Sequence, residues 1–233
     1  KFVSKVKSDL KPDLIISVNF DQIFKKDILD IPEKGAINIH ASLLPRYRGR
    51  APLNWAIING EKETGVTVHY INENVDTGDI ILQEKIEIKE TDYISDVLEK
   101  VKRKYPEIIN KAVDLIEKDN VNPVRQNIEK GSYYGKRTPE DGLIDWDQSA
   151  KEIYNLIRAV SYPYPGAFTY LDNEKLFIWR AKIKGESNIN EQPVSPNIKL
   201  NLAIAGVLGL MLAVFIVFLK EFIKNADLSQ YEE

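Results

Sequence analysis

Asn38, Ile39 and His40 stand together, Ser42-Leu43-Leu44-Pro45 follows at once, and Asp76 comes later within Val75-Asp76-Thr77-Gly78-Asp79. An amide donor, an imidazole and a carboxylate are the parts needed to move an acyl group onto an amine. That reaction builds a tetrahedral oxyanion. Asn38 can donate an amide N–H to it, and one such donor is typically worth ~3 kcal/mol. An imidazole titrates near neutrality, so His40 can take the proton the amine sheds, or donate to the oxyanion when charged. Asp76 can orient the imidazole or hold a water that relays the proton. The same types also suit a strand-end Asn and a hydrogen-bonded His with no catalytic duty, and spacing alone leaves both readings open. The chain has only two histidines. The other, His69, lies on an alternating strand in the face opposite Val66, Val68 and Tyr70. It is expected to be a surface or lightly packed residue, not a ligand. No metal site is expected.

These groups need elements to hold them. Gly35 to His40 reads as a strand, and residues at i and i+2 project from one face of it. Asn38 and His40 therefore point together, just before a Pro/Gly loop, at the carboxyl end of a strand where open α/β sheets bind ligands. Leu14 to Val18 has the pattern of a buried parallel strand. Ile23 to Leu29 predicts a short helix, and Leu53 to Asn59 another that ends at Gly60. Thr64 to Ile71 and Ile80 to Ile88 read as strands around a turn-rich loop from Asn72 to Gly78. Ser95 to Ile116 carries helical spacing, with Pro106 predicted to break it in two. Strands alternating with helices predict an α/β fold with a mainly parallel sheet. Pro and Gly then mark a connector over 122–148. Asp145 and Asp147 are expected to cap the helix Ala150 to Val160, and Ala167 to Ile183 predicts a hairpin about Asp172-Asn173.

With 233 residues, 43% hydrophobic and 29% charged, the chain has a globular composition and room for one large or two small domains. A net charge of −3 leaves no basic excess to grip nucleic acid over a wide face. The absence of cysteine excludes disulfides and thiolate metal sites. The chain opens at Lys1 without a signal-peptide core, which reads as an N-terminally incomplete sequence.

Asn38-x-His40, Ser42-Leu43-Leu44-Pro45 with Gly49, Glu63-Thr64-Gly65-Val66-Thr67 and Val75-Asp76-Thr77-Gly78-Asp79-Ile80 occur in order. In these pieces the chain resembles the N10-formyltetrahydrofolate-dependent formyltransferases. The resemblance implies a Rossmann-like catalytic domain over 1–125 and a connector with a partial β-rich C-terminal subdomain over 126–186. It implies catalytic roles for Asn38, His40 and Asp76. It also implies 10-formyltetrahydrofolate as co-substrate, its pterin held by the backbone of Gln22, Ile23 and Phe24 and by the loop Asn72, Glu73, Asn74 and Val75, with Arg50 beside it. Arg46 through Trp55, Tyr133-x-Gly135 through Trp146, Arg158-Ala159-Val160 and Tyr164 through Phe168 resemble the sugar-formylating branch, which includes the aminoarabinose formyltransferases of lipid A modification. That branch implies a nucleotide-linked amino sugar as acceptor, in surface-polysaccharide or lipid A biosynthesis. The branch that formylates initiator methionyl-tRNA is the alternative. No nucleic-acid partner is expected, and self-association stays open.

Leu200 to Leu219 is an uncharged apolar run fenced by Lys199 and Lys220. Its 20 residues would span about 30 Å as a helix, the thickness of a bilayer core. It predicts a linker over 187–198, one transmembrane helix over 199–220 and a polar tail over 221–233. Pro193 through Lys199 with this run resembles the last membrane helix of polysaccharide chain-length-determinant proteins. Two expectations follow: a single-pass inner-membrane protein with its catalytic part on the cytoplasmic side, or a chimeric chain. A non-catalytic membrane subunit related to length control is the remaining alternative.

Overall fold

The computed structural model describes residues 2–20 and 22–184. In chain order its elements are α1 (Phe2–Lys5, continued by one wide turn over Val6–Leu10), β1 (Ile15–Val18), α2 (Lys26–Leu29), β2 (Ala36–His40), β3 (Arg48–Gly49), α3 (Pro52–Ile58), β4 (Glu63–Tyr70), β5 (Ile80–Glu87), α4 (Ile94–Glu117), β6 (Tyr133–Tyr134), α5 (Ala150–Val160), β7 (Ala167–Leu171) and β8 (Glu174–Ile178). The main sheet runs β1-β2-β4-β5, and β3 with β6 and β7 with β8 form two small ones. Ile37, Ile39, Val66 and Val68 line one face of the main sheet and are buried in the core. They share that core with the α4 stripe Ile94, Val97, Val101, Ile108, Ala112 and Ile116, spaced at three and four residues. Asn38, His40, Thr67 and His69 occupy the other face by strand alternation.

The sheet is mixed, not mainly parallel. β1 and β2 pair parallel, but β4 pairs antiparallel with both β2 and β5. The reason lies in the connection from β2 to β4. Helix α3 rises only about 10 Å, short of the roughly 16 Å of a five-residue strand. The chain thus re-enters the sheet at the end it left, with His40 opposite Thr67 and Ile37 opposite Tyr70. β1 is an edge strand, not a buried one: Ile16 and Val18 are exposed. The helix expected from Ile23 is confined to α2.

Helix α4 runs unbroken through Pro106. Proline deletes the hydrogen bond to the carbonyl four residues back, here that of Lys102. Both residues are exposed, so water can serve that carbonyl while the apolar stripe continues beneath. Helix α5 begins at a capping box of Ser149 and Glu152. Asp145 instead accepts from the Asp147 N–H at 3.0 Å in the preceding turn. Asp172 and Asn173 take the left-handed conformation of a two-residue hairpin turn between β7 and β8.

A polar knot ties α5 to the start of α4. Arg158, 2% exposed, donates to the carbonyls of Asp92 and Lys89 at 3.0 and 3.2 Å and to Asn155 Oδ1 at 3.1 Å. Asp92 accepts from the Lys89 N–H at 2.8 Å and pairs with Lys100.

The expected linker, membrane helix and polar tail from 187 to 233 lie outside the described residues. Among the described residues, no helix is long and apolar enough to cross a membrane.

Candidate active site

β2 ends with Asn38 and His40 on one face, and antiparallel pairing sets His69 of β4 directly across from Asn38. The loop after β4 then carries Asp76 back over this face. Asp76 sits at φ +52°, a left-handed conformation uncommon outside glycine. Two contacts enforce it. The Gly49 N–H donates to Asp76 Oδ2 at 2.8 Å, and Gln126 Nε2 donates to the carbonyls of Asp76 and Gly78 at 3.1 and 2.6 Å. Gly49 itself has φ +91°, and a Cβ there would lie 2.3 Å from the Tyr134 carbonyl. A Cβ at Gly78 would lie 1.8 Å from the Tyr70 carbonyl. Both glycines are therefore needed to bring the carboxylate in.

The four polar groups meet tightly. His40 Nδ1 lies 3.6 Å from Asp76 Oδ2, and His69 Nε2 lies 3.6 Å from Asp76 Oδ1. Asn38 Nδ2 stands 3.3 Å from His69 Nε2 and 3.5 Å from Asp76 Oδ1. His40 Nε2 is 2.8 Å from the Tyr47 carbonyl. A carbonyl only accepts, so that nitrogen carries the ring proton and Nδ1 keeps its lone pair. Burial pushes the His40 imidazole below its ordinary value, against the pull of Asp76 and the Tyr47 carbonyl. The uncharged base form is thereby favoured at neutral pH. Burial alone would raise Asp76, but the polar groups that meet it, the Gly49 N–H among them, outweigh it and hold the carboxyl below its ordinary value. The arrangement can accept a proton at His40 Nδ1 and stabilise the resulting imidazolium with Asp76.

The cluster opens into a cavity of about 920 Å³. Of the residues expected around a cofactor, Gln22, Ile23, Phe24, Arg50, Asn72, Asn74 and Val75 line it. Glu73 does not: it is exposed on the same loop, outside the lining. Phe20 and Phe24 stack with ring centroids 4.9 Å apart along one wall. Lys136 and Arg137 line the cavity from the segment after β6.

His69 corrects the sequence expectation. It is 2% exposed and lies inside the cluster. Alternation gave its face correctly, but only the antiparallel register shows that this face belongs to Asn38. Gln126 was also missed. A lone glutamine in a connector gives no periodic signal, and its role appears only through the loop it braces. Among the described residues no group of His, Cys, Asp or Glu could hold a metal ion.

Comparison with known proteins agrees with this geometry. The profile of the formyl transferase domain matches residues 2–113, and that of the formyl transferase C-terminal domain matches 136–207. The second match runs past residue 186 into the start of the apolar stretch. The bifunctional polymyxin resistance protein ArnA of Wigglesworthia glossinidia brevipalpis is 48% identical over 180 residues, covering 77% of this chain and 28% of that protein. The methionyl-tRNA formyltransferase of Alkaliphilus oremlandii (strain OhILAs) is 42% identical over 185 residues, covering 79% of this chain and 59% of that protein. The chain thus spans less than two thirds of either curated relative. A crystal structure of the N-formyltransferase from Helicobacter canadensis, in complex with folinic acid and dTDP-3-aminofucose, superposes with a TM-score of 0.59 at 26% identity, covering 68% of this chain and 58% of that one. Two domain profiles matched in order, with relatives at this level of identity, show that the chain belongs to the formyl transferase family.

Proposed function

We propose that this chain transfers a formyl group from 10-formyltetrahydrofolate to the amine of a nucleotide-linked amino sugar. One observation carries the reading: Asn38 and His40, side by side on one face of β2, meet Asp76 from a later loop within 3.6 Å in the lining of a cavity of about 920 Å³. The cavity suits the co-substrate. Its size is in the range of small-molecule sites. Phe20, Phe24, Ile23 and Val75 offer apolar surface for a flat bicyclic ring, and Gln22, Asn72 and Asn74 offer hydrogen bonds to its polar edge.

When bound, 10-formyltetrahydrofolate supplies the electrophilic formyl carbon. Asn38 donates an amide N–H to the oxygen that gains charge as the amine adds, a contact worth about 3 kcal/mol in comparable sites. His40 Nδ1 takes the proton shed by the amine, Asp76 offsets the positive charge that the ring acquires, and the bond from the formyl carbon to N10 breaks as that proton passes on to N10, so tetrahydrofolate leaves. The Tyr47 carbonyl keeps the opposite ring nitrogen protonated, so the ring cannot present the wrong tautomer. Arg50, Lys136 and Arg137 give the cavity a cationic side that suits the diphosphate of a nucleotide-linked sugar.

The methionyl-tRNA formyltransferase relative supports a second acceptor, charged initiator tRNA. The higher identity to ArnA and the net charge of −3 favour the sugar. Formyl transfer assayed side by side decides. Turnover with a nucleotide-linked 4-amino sugar and none with charged initiator tRNA is expected; the reverse would replace the sugar reading with the tRNA one. The apolar run Leu200–Leu219 supports attachment of the enzyme to a bilayer, with the transferase part on the cytoplasmic, folate-containing side. Flotation with liposomes tests this: the full chain should float and a chain lacking 199–220 should not.

A further inference from the structure

We infer that His69 is a positioning residue for formyl transfer, holding the Asn38 amide with its nitrogen turned toward the reacting oxygen. The inference rests on the transfer activity proposed above. His69 Nδ1 lies 2.7 Å from the Tyr70 carbonyl. That oxygen only accepts, so the ring places a proton on Nδ1 and turns its Nε2 lone pair toward Asn38, 3.3 Å away. An acceptor there dictates which end of the amide it meets. If Asn38 Oδ1 took the place of Nδ2, two acceptors would face each other across that gap, and a third, Asp76 Oδ1, would stand 3.5 Å off. The amide nitrogen is therefore held in place and the amide cannot flip.

The two hydrogens on Asn38 Nδ2 are then unequal. One is engaged by His69. The other meets Asp76 Oδ1 at 3.5 Å, beyond the usual 2.7–3.2 Å range, so that contact is weak. It is the hydrogen that a developing oxyanion can claim. His69 thus fixes one donor so that the other is aimed. The ring is held for this task by its strand partner Asn38 on β2, by the register shift at Val68/His69 between β4 and β5, and by near-complete burial.

Glutamine carries a polar group where imidazole has Nε2, whereas asparagine reaches only the Nδ1 position. Three substitutions therefore separate the contacts: His69→Gln keeps an acceptor for Asn38, His69→Asn keeps only the link to Tyr70, and His69→Leu keeps neither. In His69→Asn and His69→Leu, kcat should fall about 10- to 100-fold, with KM for 10-formyltetrahydrofolate changed less than about twofold. His69→Gln should stay within about threefold of the wild type. In ¹⁵N-labelled wild type, the Asn38 side-chain amide should show two unequal hydrogens, one protected from exchange. Both should exchange rapidly in His69→Asn. Unaltered kcat in His69→Asn, a Gln variant as impaired as the Leu variant, or an Asn38 amide indifferent to residue 69 would overturn the assignment. A wild type that formylates no acceptor would overturn the functional reading instead, and the amide resonances would still decide this one.

Discussion

Two buried polar clusters in this chain are built to opposite ends. Around Arg158, each nitrogen given above meets a carbonyl or amide oxygen, and Asp92 is met by an N–H and by Lys100. Nothing in that knot faces the cavity with a spare lone pair or hydrogen. Around Asp76 the contacts are longer: the histidines stand 3.6 Å from the carboxylate, and Asn38 holds a weak contact at 3.5 Å. Burial is similar, with Arg158 at 2% and His40 at 7% exposure. Burial alone therefore does not set the two clusters apart; unspent hydrogen-bonding capacity beside a cavity does, and it is what the proposed reaction centre has.

The comparison predicts that substitutions in the two clusters separate activity from stability. The largest effect belongs to His40→Ala, which removes the proposed proton acceptor. Turnover should fall by about 10³-fold or more with little change in melting temperature, measured by formyl-transfer assay and calorimetry. Asn38→Ala should follow with a loss of about 10²- to 10³-fold in kcat. Arg158→Met should do the reverse. It strands the carbonyls of Lys89 and Asp92 and should cost about 3 kcal/mol of stability in urea titration. The folded fraction should keep its specific activity. Near-normal stability in Arg158→Met would erase the distinction between the clusters.

The smallest effect sharpens it through pH. Burial holds His40 below its ordinary 6.5, so the base form persists and the acid limb of kcat/KM should inflect below that value. Asp76 pulls His40 upward, so Asp76→Asn should move the inflection lower still while reducing kcat. The signs for stability agree. Both folded-state values lie below the ordinary ones, 6.5 for His40 and 3.8 for Asp76. The unfolded chain therefore binds these protons first, and the stability they contribute is lost as pH falls, from His40 below about 6.5 and from Asp76 through the carboxylate range.

Several local signals were readable. Helix α5 spans Ala150–Val160 as its apolar spacing predicts, though its cap is Ser149 with Glu152 and not Asp145 or Asp147, and Asp172-Asn173 makes the turn its residue types require. Strand parity placed Asn38 and His40 together before any fold was known. The failures share a cause in long-range pairing. Nothing local tells β4 to run antiparallel beside β2, so His69 and its partner stayed separate. Nothing local announces that Pro106 falls on a solvent-facing turn of α4, where its missing hydrogen bond costs little. Glu73 shares a loop with the cavity lining, and only the loop's actual path turns it away.

The segment that bears Lys136 and Arg137 is joined to the loop after β2 at a seam: β6 pairs with β3, Arg48 with Tyr133 and Gly49 with Tyr134, and Tyr134 stacks on Tyr47 and Trp55. The cluster of Asn38, His40 and Asp76 belongs to the β3 side of that seam, and Lys136 and Arg137 line the cavity from the β6 side. On the proposed reading, acceptor choice is modular: exchanging the stretch beyond the seam between relatives should change which molecule is modified while the cluster around Asp76 is kept.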